Sequence, residues 1–307
     1  AQAGMLSADG VCYAFDRRAN GMVPGEAVAV LVLRRLPDAE RDGDRVYASV
    51  LGSGVNYDGR TNGITAPSGA AQARLLSEVY ERARVPVESV GHVVTHGTGT
   101  RLGDPVEINA LVEAFGSGSG RSGFCALTST KPNIGHTQAA SGLVSVIALV
   151  QAMRHGVIPP SINCDEPSDY VDWERSPFFV NREARPWSAE GGTRRGGVSA
   201  FGFSGTNAHV IVESYDAGGV SEEVSEPAYL LPVSAKSEGA LGRALAELAG
   251  HLERVEGVSL ASVSHALMSG RHHFAFRCAL VVRDAADAVR LLREAAAGER
   301  PLMVRSG

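Results

Sequence analysis

Apolar and polar positions fall into blocks along the chain, and each block predicts an element. Residues 27 to 36, AVAVLVLRRL, form a valine-rich apolar run of the kind expected of a strand buried on both faces. Residues 46 to 55, VYASVLGSGV, read as a second strand after the polar turn around Asp42 and Gly43. Ala70 to Arg84 predicts a helix, with Leu75, Leu76, Val79 and Tyr80 on one apolar stripe and Pro86 just beyond. Residues 90 to 95, VGHVVT, are a further strand that runs into the loop HGTGT. Asp104 is placed to cap the next helix, with Pro105 at its first position and Glu107 three residues after the cap; Gly116 ends it. From Thr137 to His155 the sequence is small or apolar on nearly all sides, which predicts a helix in the middle of a large core. Residues 196 to 213, GGVSAFGFSGTNAHVIVE, read as strand, tight glycine turn, strand.

The pattern then breaks. Residues 215–227 are acidic and carry Gly and Ser, as linkers do, which divides the chain into 1–214 and 228–307. In the second part Tyr229 to Ser234 and Cys278 to Val282 read as strands. Glu238 to Glu253, Leu260 to Met268 and Asp284 to Ala297 read as helices, so a small α/β unit is expected.

Composition narrows the functional classes. In 307 residues, 29 Lys plus Arg stand against 34 Asp plus Glu, a net charge of −5 without a strongly basic stretch, which argues against nucleic acid as the main partner. No apolar run approaches the roughly 18 residues of a membrane span, and no basic-then-apolar leader opens the sequence. Cys12, Cys125, Cys164 and Cys278 lie far apart without CxxC pairing, as expected in a reducing cytoplasm. His96, His136 and His209 do not lie at i, i+4 spacing and have no thiolate near them in sequence, so no metal site is expected. The stretch GSGSGRSG at 116 to 123 reads as a surface loop.

Three glycine loops are each unspecific alone: HGTGT at 96–100, KPNIGH at 131–136 and FGFSGTNAH at 201–209. As an ordered set with LGDPVE between the first two, and with GMLSADG and FDRRANGMVPGE upstream, they resemble the C-terminal half of a β-ketoacyl synthase. More narrowly, the set resembles the ketosynthase domain of a modular type I polyketide synthase over residues 1 to about 214. Residues from 228 onward resemble the linker subdomain that follows such domains. The resemblance implies a thiolase-like layered α/β/α/β/α fold, of which this chain is the C-terminal half, plus a small α/β flanking subdomain.

It also implies decarboxylative Claisen condensation of a carrier-bound acyl chain with a malonyl or methylmalonyl thioester. His96 and His136 are implied as donors to the developing enolate, with Lys131 beside them. A helix starting near Thr137 would hold His136 neutral with its positive end. Thr98 and Thr100 are implied to bind the pantetheine arm, and Phe203 to be the gate whose N–H completes an oxyanion hole. Glu107, Asn133 and Asn207 are expected to brace the loops. No diffusible cofactor is implied, because substrates ride on the phosphopantetheine of an acyl carrier protein, and the complete ketosynthase is expected to be a homodimer. One departure is Val94, where the family usually carries an acidic residue. The larger one is the nucleophile: none of the four cysteines sits in a TACSSS-like elbow. The chain is therefore expected to be inactive without a Cys-bearing upstream half, on the same parent protein or a separate chain. A cleaved fragment and a divided enzyme both fit. The rival reading is a non-catalytic remnant that docks a carrier protein or acts as a scaffold.

Overall fold

The computed structural model describes residues 5–63, 66–116, 121–188, 192–216, 226–255 and 257–299. Most of the expected linker and part of the 116–123 loop lie outside the described residues. The chain divides into two compact units, Ala1–Ala217 and Gly218–Gly307.

The first unit begins with α1 (Leu36–Arg41), β1 (Ala48–Tyr57), α2 (Gly69–Ala83), β2 (Val90–Val94), α3 (Gly103–Gly116), β3 (Cys125–Thr128) and the one-turn α4 (Lys131–Ile134). It continues with α5 (Ser141–His155), the short β4 (Val157–Ile158), β5 (Phe178–Val180), the short β6 (Arg185–Pro186), β7 (Arg195–Phe201) and β8 (Thr206–Ser214). Six of these strands form one mixed sheet in the order β1-β8-β7-β2-β3-β5. The β1–β8 and β7–β8 pairs are antiparallel; β2 lies parallel to β7 and β3, and β3 to β5. Alternation along the strands sorts the core into two layers. Val93, Leu127 and Ile211 face α2 and α3, whereas Val94, Ala126, Val198 and Val212 face Leu149 and Met153 of α5. The result is an α/β/α stack. Helix α2 sits close on β1 because Gly54 has no side chain: a Cβ there would lie 2.6 Å from Val79 Cγ2.

Three expectations need correction. Residues 27–36 are not a buried strand: no sheet partner pairs with them among the described residues, and Val28, Val30 and Val32 are 98%, 78% and 94% exposed. Helix α5 starts at Ser141, after a 3₁₀ turn at Gln138–Ala140, rather than near Thr137. It is not enclosed on all sides either; Ser141, Ser145, Leu149, Ala152 and Met153 are buried, while Leu143 is 40% exposed. Asp104 does not cap α3, for the reason given below.

The second unit pairs β9 (Tyr229–Ala235) with β10 (Phe276–Val282) in an antiparallel ribbon. Helices α6 (Glu238–Arg254), α7 (Leu260–Ser269) and α8 (Ala285–Ala296) complete it. Leu231, Val233, Leu245, Leu280, Val282 and Leu292 form its core. Each helix starts at a side-chain cap: Ser237 accepts from Ala240 N–H, Ser259 from Ser262 N–H, and Asp284 from Asp287 N–H. No described helix of the chain is long and apolar enough to cross a membrane.

Candidate active site

The HGTGT loop leaves the end of β2 and is held from beneath by two carboxylates of α3. Glu107 takes the His96 N–H at 2.7 Å and the Gly97 N–H at 2.8 Å, one on each oxygen. Asp104 takes the N–H groups of Phe15, Thr98, Gly99 and Thr100 at 2.9 to 3.3 Å. Asp104, expected to cap the helix, therefore organises the neighbouring loop instead, while Glu107 braces that loop as expected. A loop turning this tightly leaves its N–H groups pointing inward, and buried donors must be satisfied. Gly97 is required, since its φ is +36° and a Cβ would lie 2.8 Å from the Phe15 ring.

Lys131 opens α4 and is 2% exposed. Its ammonium donates to the carbonyl of His96. Burial pulls its pKa down to about 8, against the opposing pull of Glu107, Cys12 and Asp104. Burial pushes Glu107 up, against the N–H groups that it accepts.

His136 follows α4, and its backbone is clamped to an upstream segment: its N–H donates to Val23 O at 2.6 Å, and its carbonyl accepts from Gly25 N–H at 3.0 Å. Its Nδ1 accepts the Gln138 N–H at 3.1 Å, so the proton of the neutral ring is on Nε2. The ring stands edge-to-face with His96, centroids 5.4 Å apart. Burial and then Lys131 pull His136 down to about 4. Burial, Lys131 and His136 together hold His96 well below the ordinary histidine range. Both rings are thus neutral at pH 7. Desolvation and Lys131 do this, not the end of α5, which begins five residues further on than His136.

The two imidazoles line a cavity of about 590 Å³ that also touches Thr98, Thr100, Phe201, Phe203 and Asn207. The Thr98 and Thr100 hydroxyls are 3.1 Å apart. Phe203 is 57% exposed in the β7–β8 turn, while Phe201 lies closer in, its ring 5.8 Å from that of His96. Asn207 braces the same turn by donating to Asn56 Oδ1 and Asp58 Oδ1 at 3.2 and 2.7 Å. Asn133 braces nothing: its side chain is exposed and makes no hydrogen bond among the described residues. His209 stays apart from the other two histidines, with its ring nitrogens against Ser199 Oγ and Tyr80 OH. Cys12 comes close to the site without serving as a nucleophile. Its thiol sits under the loop at 3.5 Å from Thr98 O, and burial pushes its pKa up to about 12. Cys125 is fully buried and its thiol is raised as well.

Sequence reasoning missed the loop-holding role of Asp104, the inner position of Phe201, and the Val23–Gly25 clamp on His136. A buried carboxylate beside a glycine loop is a signal that could have found the first. The clamp joins residues over a hundred positions apart and leaves no local trace.

Residues 47–165 match the family described as Beta-ketoacyl synthase, C-terminal domain, and residues 1–39 match Beta-ketoacyl synthase, N-terminal domain. Residues 229–292 match CurL-like, PKS C-terminal. Fold and matches together define a condensing-enzyme domain of thiolase-like architecture. Polyketide synthase ThaG of Burkholderia thailandensis is 53% identical over 299 residues, 96% of this chain and 5% of that protein. Pikromycin polyketide synthase component PikAIII of Streptomyces venezuelae is 43% identical over 291 residues, 93% of this chain and 19% of that protein. The solved ketosynthase from module 6 of the bacillaene synthase of Bacillus subtilis 168 superposes with a TM-score of 0.91 at 40% identity, over 98% of this chain and 52% of that one. The chain belongs to the ketosynthase domains of type I polyketide synthases. It spans about half the length of the solved ketosynthase, and a small part of each synthase.

Proposed function

We propose that this chain supplies the His/His/Lys part of a ketosynthase active site for decarboxylative Claisen condensation. The observation that carries the reading is the pair of neutral imidazoles, His96 and His136, facing one cavity beside a lysine that is 2% exposed. When a carrier-bound malonyl or methylmalonyl thioester loses CO₂, the C–C bonding electrons pass to an enolate whose charge rests on the thioester oxygen. A neutral imidazole N–H can donate to that oxygen without first surrendering a proton, and the Nε2–H of His136 is fixed for the task. The enolate carbon then attacks the acyl carbonyl held on a cysteine, and the cysteine leaves as thiolate. Burial, with Lys131 adding to it, keeps both rings unprotonated, and Lys131 holds the His96 carbonyl. Thr98 and Thr100 receive the pantetheine arm, and the Phe203 N–H serves the second oxyanion.

The cysteine belongs to an upstream half. The exposed valines of residues 26–35 support this reading: the N-terminal ketosynthase family is matched only at 1–39, and an extended apolar edge needs strands to cover it. The partners that follow are the upstream half, an acyl carrier protein and a second copy of the complete domain; no diffusible cofactor is involved. A docking or scaffold remnant has no use for a buried lysine, since burying an amine without chemical need costs stability.

The test is His136→Ala in the ketosynthase with its upstream half. Loss of one of two donors is expected to lower malonyl decarboxylation by about 10²- to 10³-fold. Unchanged decarboxylation would sink the catalytic reading.

A further inference from the structure

Two cavities share Thr100 and Arg101: the one that holds the imidazoles, and one of about 370 Å³ whose other lining residues are Asn20 and Gly21. Among the described residues that line the larger cavity, Arg101 is the only cation. The three carboxylates there are engaged by the fold: Asp58 by Asn207, and Asp104 and Glu107 by backbone N–H groups. Arg101 is exposed and forms no ion pair among the described residues. Its guanidinium is held in place all the same. Nε donates to the Ala19 carbonyl at 3.3 Å, and both Nη groups are left without a hydrogen-bond partner among the described residues. The segment that receives Nε is tied in turn to the HGTGT loop, since the Gly21 N–H donates to Gly99 O at 2.9 Å. Gly21 has φ +142°, and a Cβ there would lie 2.5 Å from Leu6 C, so the close approach needs a glycine. A guanidinium fixed through Nε, with its outer nitrogens open, suits an oxyanion that can take two parallel hydrogen bonds.

We propose that Arg101 binds the phosphodiester of the phosphopantetheine arm and so anchors carrier-bound substrates beyond Thr100. This rests on the ketosynthase reading above. A malonyl substrate carries a second anion, its carboxylate, but that group must shed its charge as CO₂ leaves. A cation on it would stabilise the reactant more than the transition state. The phosphodiester keeps its charge throughout, and it sits at the far end of the arm that Thr98 and Thr100 receive on that reading.

The experiment uses the complete ketosynthase with Arg101→Gln, which removes the charge, and Arg101→Lys, which keeps the charge without the fork. Decarboxylation is measured on malonyl-pantetheine, malonyl-phosphopantetheine and the malonyl carrier protein. The quantity read is the ratio of kcat/KM for the phosphorylated thioester to that for the unphosphorylated one. Arg101→Gln is expected to lower this ratio about five- to tenfold, through KM rather than kcat, and Arg101→Lys to recover part of it. Added salt is expected to shrink the difference between wild type and Arg101→Gln, because the contact is exposed. An unchanged ratio overturns the proposal. So do equal losses on both small thioesters, which would put Arg101 on the malonyl carboxylate or in a structural role. A loss confined to the carrier-bound substrate overturns it as well, in favour of a carboxylate on the carrier's surface. A wild-type domain that decarboxylates none of the three would overturn the ketosynthase reading instead.

Discussion

Replacing His209 with Gln links stability to pH in a way that the structure quantifies. His209 Nδ1 is 3.0 Å from Ser199 Oγ and Nε2 is 3.2 Å from Tyr80 OH, which ties β8 to β7 and α2. The ring is 2% exposed, and burial pulls its pKa from 6.5 to about 3. With the folded value below the unfolded one, unfolding takes up a proton at acid pH. The stability tied to neutral His209 is therefore fully present above pH 6.5, and is lost as pH falls towards about 3. Near pH 5, roughly 1.5 units below the unfolded value, the loss is about 2 kcal/mol at about 1.4 kcal/mol per unit. Gln has no proton to gain. Near pH 7.5 the variant gives up two buried hydrogen bonds in a tight site, about 2–3 kcal/mol; near pH 5 the wild type has forfeited most of that advantage. For the complete domain, about twice the length of this chain, 1 kcal/mol corresponds to about 1 °C, so the gap in melting temperature closes by about 2 °C between the two pH values. Asp104 and Glu107, whose raised values act in the opposite direction, are common to both proteins and cancel in the difference. Calorimetry of the complete domain at both pH values makes the measurement. A gap that stays constant to within about 1 °C would refute the assignment of a neutral core histidine.

Two further predictions follow from the loop. Cys12→Ser is expected to leave decarboxylation within about threefold of wild type and the wild-type Cys12 to resist iodoacetamide near pH 8, since its thiol is pushed up to about 12; fast alkylation read by mass spectrometry would contradict this. Gly99→Ala, at φ +75° with its Cβ 3.1 Å from Cys12 Sγ, is expected to cost about 2–3 kcal/mol by denaturant titration, and an unchanged midpoint would contradict the geometry.

Much of the fold was legible in the sequence because the relevant interactions are local. The 195–214 hairpin, α2 and all five elements of the second unit follow from periodicity, caps and glycine turns. The run at 27–36 was misread because a pattern reports what a segment is suited to bury against, not whether that neighbour is present. Glu107 was legible as a loop brace, but the cap at Asp104 was misread because a carboxylate there can satisfy N–H groups of its own helix or of a loop packed beside it. Only the packing chooses. The histidines and lysine of the candidate site were legible as motif residues, whereas their neutrality comes from burial, which no motif records.

The backbone pairing of His136 with Val23 and Gly25 bears on the engineering of hybrid synthases. The segment that grips the histidine runs directly into the exposed valines at 28, 30 and 32, so on the proposed reading whatever covers those valines is tied through a few residues of chain to the histidine position. A recombination junction placed between residues 22 and 35 would join a clamp from one parent to a covering sheet from another. Chimeras cut there should fold yet lose turnover, while junctions upstream that transfer the clamp, the valines and their cover together should keep it.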